Sequence, residues 1–297
     1  MFKLKDWIDK DKINWAYLSE NPSALTLLEQ NQDKIAWPQL SCNPSAISLL
    51  EHNQDKINWY CLSSNPLAIS LLEHNQDKID WFWLSDNPSA LTLLEKNHDK
   101  IRWDWLSSNP SERAIALLEK NQDKINWTQL SVNPSAIALL ENNQDKINWS
   151  QLSTNPSAIT LLENNQDKIN WIQLSANPSA RAIALLEQNQ DKINWIQLSA
   201  NPSARAIALL ENNQDKIDWV ALSRNPSALT LLENNQTKIN WSRLSGNPSI
   251  FEYDYKGMKD AMYKGIKEDL VKNRFHPKNI PKFRDWGMDG FEDYEDE

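Results

Sequence analysis

The sequence predicts an all-α fold: a right-handed α-solenoid of short two-helix repeats, each an α-helix plus a short α or 3₁₀ helix, with a cap at either end. Three observations predict it. Tryptophan recurs at Trp15, Trp37, Trp59, Trp81, Trp103, Trp127, Trp149, Trp171, Trp195, Trp219 and Trp241, in steps of 22 residues with three steps of 24. A fixed period of this length is the mark of stacked repeats. Each copy opens on Asn-Pro and carries a Leu-Leu-Glu run, and no glycine interrupts the chain before Gly246, so no copy needs a left-handed or pinched backbone.

Asn133-Pro134 opens a typical copy. Asparagine accepts a hydrogen bond from a free N–H of the first turn, and proline suits the next position, where its missing donor costs nothing. Ala136, Ile137, Leu139 and Leu140 then follow at the spacing of one apolar helix face. A second element holds Asp145 through Ser153. Pro38 favours a late start, at the residue before tryptophan, because proline is tolerated in a first turn but clashes deeper in a helix. Trp149 and Leu152 then share a face. Neither helix is long enough to persist alone, so stability must come from stacking, with tryptophan, isoleucine and the leucine pair buried between copies. The three longer steps insert Glu112-Arg113, Ala180-Arg181 and Ala204-Arg205 after Asn-Pro-Ser. They lengthen the helix start or its approach loop and leave the core register untouched, with the arginines protruding on one edge.

Residues 1–20 read as a truncated copy capping one end, 21–249 as the solenoid, 250–288 as a helical C-terminal cap, and 289–297 as an acidic disordered tail. Tyr255, Met258, Met262, Ile266, Leu270 and Val271 form an amphipathic stripe through Asn273. Ile280, Phe283 and Trp286 suggest a short helix stopped at Gly287.

The net charge is −9, and no apolar run approaches membrane-spanning length. The acidic field opposes nucleic acid. Met1 to Asp6 is no secretion signal. Cys42 and Cys61 occupy different slots of neighbouring copies, so reduced thiols in the cytoplasm are expected and no disulfide framework is implied.

The string Leu-Ser-x-Asn-Pro-x-Ala-Ile-x-Leu-Leu-Glu-x-Asn-x-Asp-Lys-Ile-x-Trp, covering residues 4–249, resembles the tandem repeats of giant nucleocytoplasmic DNA viruses, mimivirus-like viruses among them. The stretch from His276-Pro277 through Trp286-Gly287 looks like the endings of those proteins. The resemblance implies a repeat scaffold located in host cytoplasm, viral factory or virion. The architecture is also similar to leucine-rich-variant repeats, which pair an α-helix with a 3₁₀ helix in a right-handed array.

The slots that vary between copies are the two after tryptophan and the one after Leu-Ser. In the amino-terminal half Tyr17, Tyr60, Phe82, Trp83 and Trp105 occupy the first kind. Stacked in register they would form one strip, and such residues dominate binding hot spots; alternatively they fill space between short helices. The repeated tryptophans are expected in the core, and the recurring glutamate, aspartate and lysine slots on solvated faces. His52 and His74 share a slot in adjacent copies. Stacked helices stand about 8–10 Å apart, whereas metal ligands must converge at about 2 Å, so no metal is expected. No phosphate loop, Cys-x-x-Cys pair or nucleophile elbow occurs, and no catalytic residue or cofactor is expected. The expected function is a non-enzymatic scaffold for a protein partner. A self-assembling structural component is the alternative, and a nucleic-acid reader of one base per repeat stands third.

Overall fold

The computed structural model describes residues 2–270 and 272. The chain is an all-α repeat array with one small two-stranded sheet among the described residues. It divides into a repeat unit, Leu4–Phe251, and a second unit made of Met1–Lys3 with Glu252–Glu297.

One copy shows how the repeat folds. Asn155 caps a 3₁₀ turn at Pro156–Ala158, which runs into the first helix at Ile159–Glu163. Asn165 ends it, its Nδ2 donating to the Leu161 carbonyl at 2.9 Å. A separate 3₁₀ turn, Gln166–Lys168, follows, then Ile169 in extended conformation, then the second helix at Trp171–Leu174. Asn170 caps it by accepting from the Gln173 N–H at 3.1 Å. The late start read from Pro38 is therefore what forms, with Pro38 in the first turn of Trp37–Leu40. In the longer copies the inserted pairs become helix: Glu112–Glu119, Ala180–Gln188 and Ala204–Glu211. Their arginines do not merely protrude. Arg113, Arg181 and Arg205 pair with Glu95, Glu163 and Glu187 of the preceding copy, and Arg205 holds the Glu187 carboxyl below its ordinary range.

The innermost residues are the leucine three places after tryptophan, the alanine after Asn-Pro-Ser and the second leucine of the pair, with the isoleucine before the cap close behind; Leu174, Ala158, Leu162 and Ile169 fill these places in one copy. The repeated tryptophans correct the sequence expectation. All eleven are half-buried, each with the lysine ammonium of the following copy over its ring, from Lys56 on Trp37 at 4.3 Å to Lys12 on Trp241 at 4.9 Å. The lysine stem completes the cover of the indole while the charge faces the ring. The lysine slot is exposed, as expected of a solvated face, and is also a structural partner of the ring.

Two further ladders hold the copies together. The Asn-Pro asparagines are buried. Asn155 donates through Nδ2 to the carbonyls of Ser131 at 3.1 Å and Asn133 at 3.0 Å, while its Oδ1 accepts from the Ser157 N–H at 3.0 Å. The buried Leu-Ser serines donate to the tryptophan carbonyl of their own helix and accept from the N–H before the next tryptophan, as Ser153 does with Trp149 at 2.8 Å and Asn170 at 3.0 Å. The buried asparagine and serine side chains of these two ladders are paired, as burial demands.

These ladders have no ends. Asn21 donates to the carbonyls of Ser245 at 3.2 Å and Asn247 at 3.1 Å, and the Asn14 N–H reaches Ser245 Oγ at 2.9 Å. Lys12 covers Trp241. The repeat unit is therefore a closed array of eleven copies, and this corrects the expectation of separate caps on open ends. Copy 1 is split between the two ends of the unit. Asn247-Pro248-Ser249-Ile250 begins it, and Trp7 to Glu20 finishes it. Ile250 stands buried where other copies hold alanine; Phe251, next to it in sequence, and Ile8, from the other stretch, are buried too. The Lys5 N–H donates to the Ile250 carbonyl at 2.9 Å. Strands β1 (Phe2–Leu4) and β2 (Phe251–Tyr253) pair at the junction. Terminal repeats need a polar outer face only where an end is open; here each end completes the other.

In the second unit a helix runs Tyr255–Asp269, and its Tyr255, Met262, Tyr263 and Ile266 are exposed. The expected short helix around Phe283 and the acidic tail lie outside the described residues.

Candidate aromatic site on copies 3 to 5

The variable slots sit on the second helices. Successive second helices meet end to start, where each Leu-Ser serine bonds the next cap, so the slot after Leu-Ser and the second slot after tryptophan crowd against their neighbours. Ser108 Oγ donates to Asp86 Oδ1 of the preceding copy at 2.6 Å. Arg224 reaches Glu20, two copies on, at 3.5 Å.

Four of the five sequence-nominated aromatics come together here. Tyr60 meets Trp83 edge-on at 4.9 Å between ring centroids, Phe82 lies 4.2 Å from Trp105, and Trp83 lies 5.2 Å from Trp105. Phe82 also touches Trp83 at 5.8 Å. These tilted and edge-on geometries are the favoured ones for aromatic pairs. Tyr17 is not part of the group. Pro38 and Gln39 of copy 2 separate it in the array, and it packs instead under the Arg243 guanidinium at 5.3 Å.

Both readings of the aromatic slots find a place in this geometry. Trp83 and Trp105 are half-buried and fill space, whereas Tyr60 and Phe82 stay 52% and 40% exposed. Trp83 Nε1 is shielded from solvent without a hydrogen-bond partner, a state shared among the described residues only with Trp7 Nε1. Leaving such a donor unpaired costs about 1–3 kcal/mol, which packing of the surrounding rings must offset. Between copies 4 and 5 a cavity of about 700 Å³ opens, lined by Asp80, Trp81, Phe82, Arg102, Trp103, Asp104 and Trp105, with Ile79 and Ile101 behind.

Sequence reasoning overlooked the charged lining. Asp80 is a helix cap, accepting from the Phe82 N–H at 3.0 Å and the Trp83 N–H at 3.3 Å. Arg102 replaces the usual asparagine and caps nothing with its side chain. Asp104 accepts from Asn126 Nδ2 at 3.4 Å. The departure of Arg102 and Asp104 from the repeat consensus was the available signal; Asp80 shares its slot's residue type with Asp218. A second exposed apolar arc, Ile172, Ile196 and Val220, occupies the same slot in copies 8 to 10.

The cysteines also depart from expectation. Cys42 and Cys61 are joined as a disulfide, with Cα atoms 4.8 Å apart. They lie in different slots, but the end-to-start meeting of second helices brings those two slots face to face. Among the described residues, no three His, Cys, Asp or Glu side chains converge as metal ligands. His52 and His74 instead lie 2.7 Å from carbonyls of their own helices. No helix among the described residues is long and apolar enough to cross a membrane. No family model, curated protein or solved structure matches the chain.

Proposed function

We propose that the protein is a non-enzymatic scaffold that binds a protein partner through the aromatic arc of Tyr60, Phe82, Trp83 and Trp105. One observation carries this reading. The most aromatic stretch of variable slots is also one where large rings remain open to solvent beside a cavity, and such anchors dominate binding energy when a partner covers them. The closed array supports it further: a surface held by three continuous ladders loses little freedom on binding. On the same reading, the giant-virus likeness of the repeat string supports a partner in host cytoplasm, viral factory or virion. Closure leaves no free ladder for end-to-end growth, so any self-association would run side by side. The two arginines of the variable slots are engaged with Glu20 and Tyr17, which weakens the case for a nucleic-acid reader.

The test is the double substitution Trp83→Gln and Trp105→Gln. Glutamine already fills that slot in Gln129, Gln151, Gln173 and Gln197, so the variant is expected to fold. It should lose the proteins that wild type enriches quantitatively from infected or host-cell lysate. A variant with unchanged circular dichroism and melting that retains every one of them overturns the proposal.

A further inference from the structure

We infer that the arc takes a cationic side chain, lysine or arginine, presented by a peptide segment of the partner. This rests on the interaction reading above and deepens it by naming the chemistry of what binds.

Two kinds of departure from the repeat consensus coincide here. Copies 3 to 5 gather Tyr60, Phe82, Trp83 and Trp105, and copies 4 and 5 add Asp86 and Asp104 beside the cap Asp80, a residue type that copy 10 shares in Asp218. The variable slots of copies 6 to 9 hold no acid at all: Thr128, Gln129, Val132, Ser150, Gln151, Thr154 and their successors are neutral. The acid of copy 1, Glu20, is already paired with Arg224. Asp80 and Asp104 line the cavity itself, opposed by the single guanidinium of Arg102. Indole and phenyl faces carry negative quadrupole charge and attract cations, most strongly where water is excluded. A nearby carboxylate adds to that field.

The molecule uses the same device throughout. Every repeated tryptophan has a lysine ammonium within 4.3–4.9 Å of its ring. Trp81 and Trp103 in the cavity wall already hold Lys100 and Lys124 in this way. Phe82, Trp83 and Trp105 have no cation over their rings among the described contacts. At about 700 Å³ the cavity falls within the range of roughly 300–1000 Å³ typical of ligand sites. That volume is large enough for a long side chain with its flanking backbone.

The experiment is selection from a random peptide display library on the full-length protein, with parallel selection on Phe82→Thr/Trp83→Gln/Trp105→Gln. Peptides enriched on wild type over the variant should carry lysine or arginine at a fixed position. One such peptide, and its copy with the cation replaced by norleucine or citrulline, is then titrated calorimetrically. The norleucine or citrulline copy should bind more weakly. The cationic peptide should also lose roughly 3–10-fold in affinity to Asp80→Asn/Asp104→Thr at low salt, and less at high salt. Asparagine and threonine occupy these slots in Asn126 and Thr128, so that variant keeps its caps and fold. Enriched peptides without cations, or equal affinity for the acid-neutral variant, overturn this inference and leave the interaction reading standing. If no peptide distinguishes wild type from a folded aromatic variant, both fall.

Discussion

Copy 8 is one continuous stretch of chain, whereas copy 1 is assembled from two stretches more than two hundred residues apart. Their polar rungs are nearly the same. Asn170 and Asn14 each donate a backbone N–H to the preceding Leu-Ser serine, at 3.0 and 2.9 Å. Asn177 and Asn21, which follow the two copies, each bond two carbonyls, at 3.0 and 2.9 Å against 3.2 and 3.1 Å. The apolar filling differs. Copy 8 has Ala158 and a helix at Ile159–Glu163, while copy 1 has Ile250 and a strand from Phe251. A covalent link is therefore not what holds neighbouring copies at their spacing. Side-chain rungs set it, and a larger residue takes up the volume that the missing helix leaves.

The hardest test of that comparison is Ile250→Ala. It restores the alanine of every other copy, but without the helix that accompanies it there. A fully buried isoleucine reduced to alanine costs about 2–5 kcal/mol. The loss should appear as faster amide exchange at Asn14, Leu18 and Asn21, while copies 5 to 8 stay protected. Acceleration spread evenly around the array would mean that the split copy is no weaker than the rest.

Asn21→Ala and Asn177→Ala come next. Each removes two cross-copy hydrogen bonds and one from a backbone N–H two residues on, leaving a buried serine carbonyl without its cross-copy donor, and each should cost about 1–3 kcal/mol in urea unfolding. Equal losses sharpen the comparison, because they require the ladder to run unbroken through copy 1. A silent Asn21→Ala beside a damaging Asn177→Ala would show an open array in solution.

The period, the helix starts and the apolar face were legible because they depend on local chemistry. Asn-Pro is a cap-and-first-turn signal wherever it stands, and Pro38 marked the start of the second helix. The same asparagine's second role was hidden. Its Oδ1 acts within three residues, which a sequence can suggest, but its Nδ2 acts across copies, which needs the stacking distance. Lys168 and Trp149 are 19 residues apart, in a slot that looks like a surface charge, so the burial of tryptophan was overstated. Closure was illegible for a related reason. Each end resembles a damaged copy, and only the curvature decides whether two damaged copies become one whole. For the candidate site, Tyr60, Phe82, Trp83 and Trp105 could be nominated by type and slot. Tyr17 shares both and was separated from them only by the array position of Pro38 and Gln39. The pairing of Cys42 with Cys61 is hidden in the repeat because their two slots meet only across the helix junction.

The smallest expected effect concerns the cation ladder, where the two copies differ measurably. Lys168 lies 4.3 Å from the Trp149 centroid, whereas Lys12 lies 4.9 Å from Trp241. Lys12 is also drawn toward Asp9 at 3.1 Å, a bond that lowers the Asp9 carboxyl from its ordinary value. A cation shared with a carboxylate gives less to the ring, since its field is partly cancelled at the indole face. Lys168→Gln should therefore cost about 0.5–1 kcal/mol, the usual worth of an exposed cation on tryptophan, and Lys12→Gln less than that. Urea midpoints at matched ionic strength measure both. Adding Asp9→Asn should raise the cost of losing Lys12 toward that of Lys168, because the ring then holds the cation alone. If Lys12→Gln proves the more damaging substitution, the lysine at the split copy acts as a latch through Asp9 rather than as one more rung.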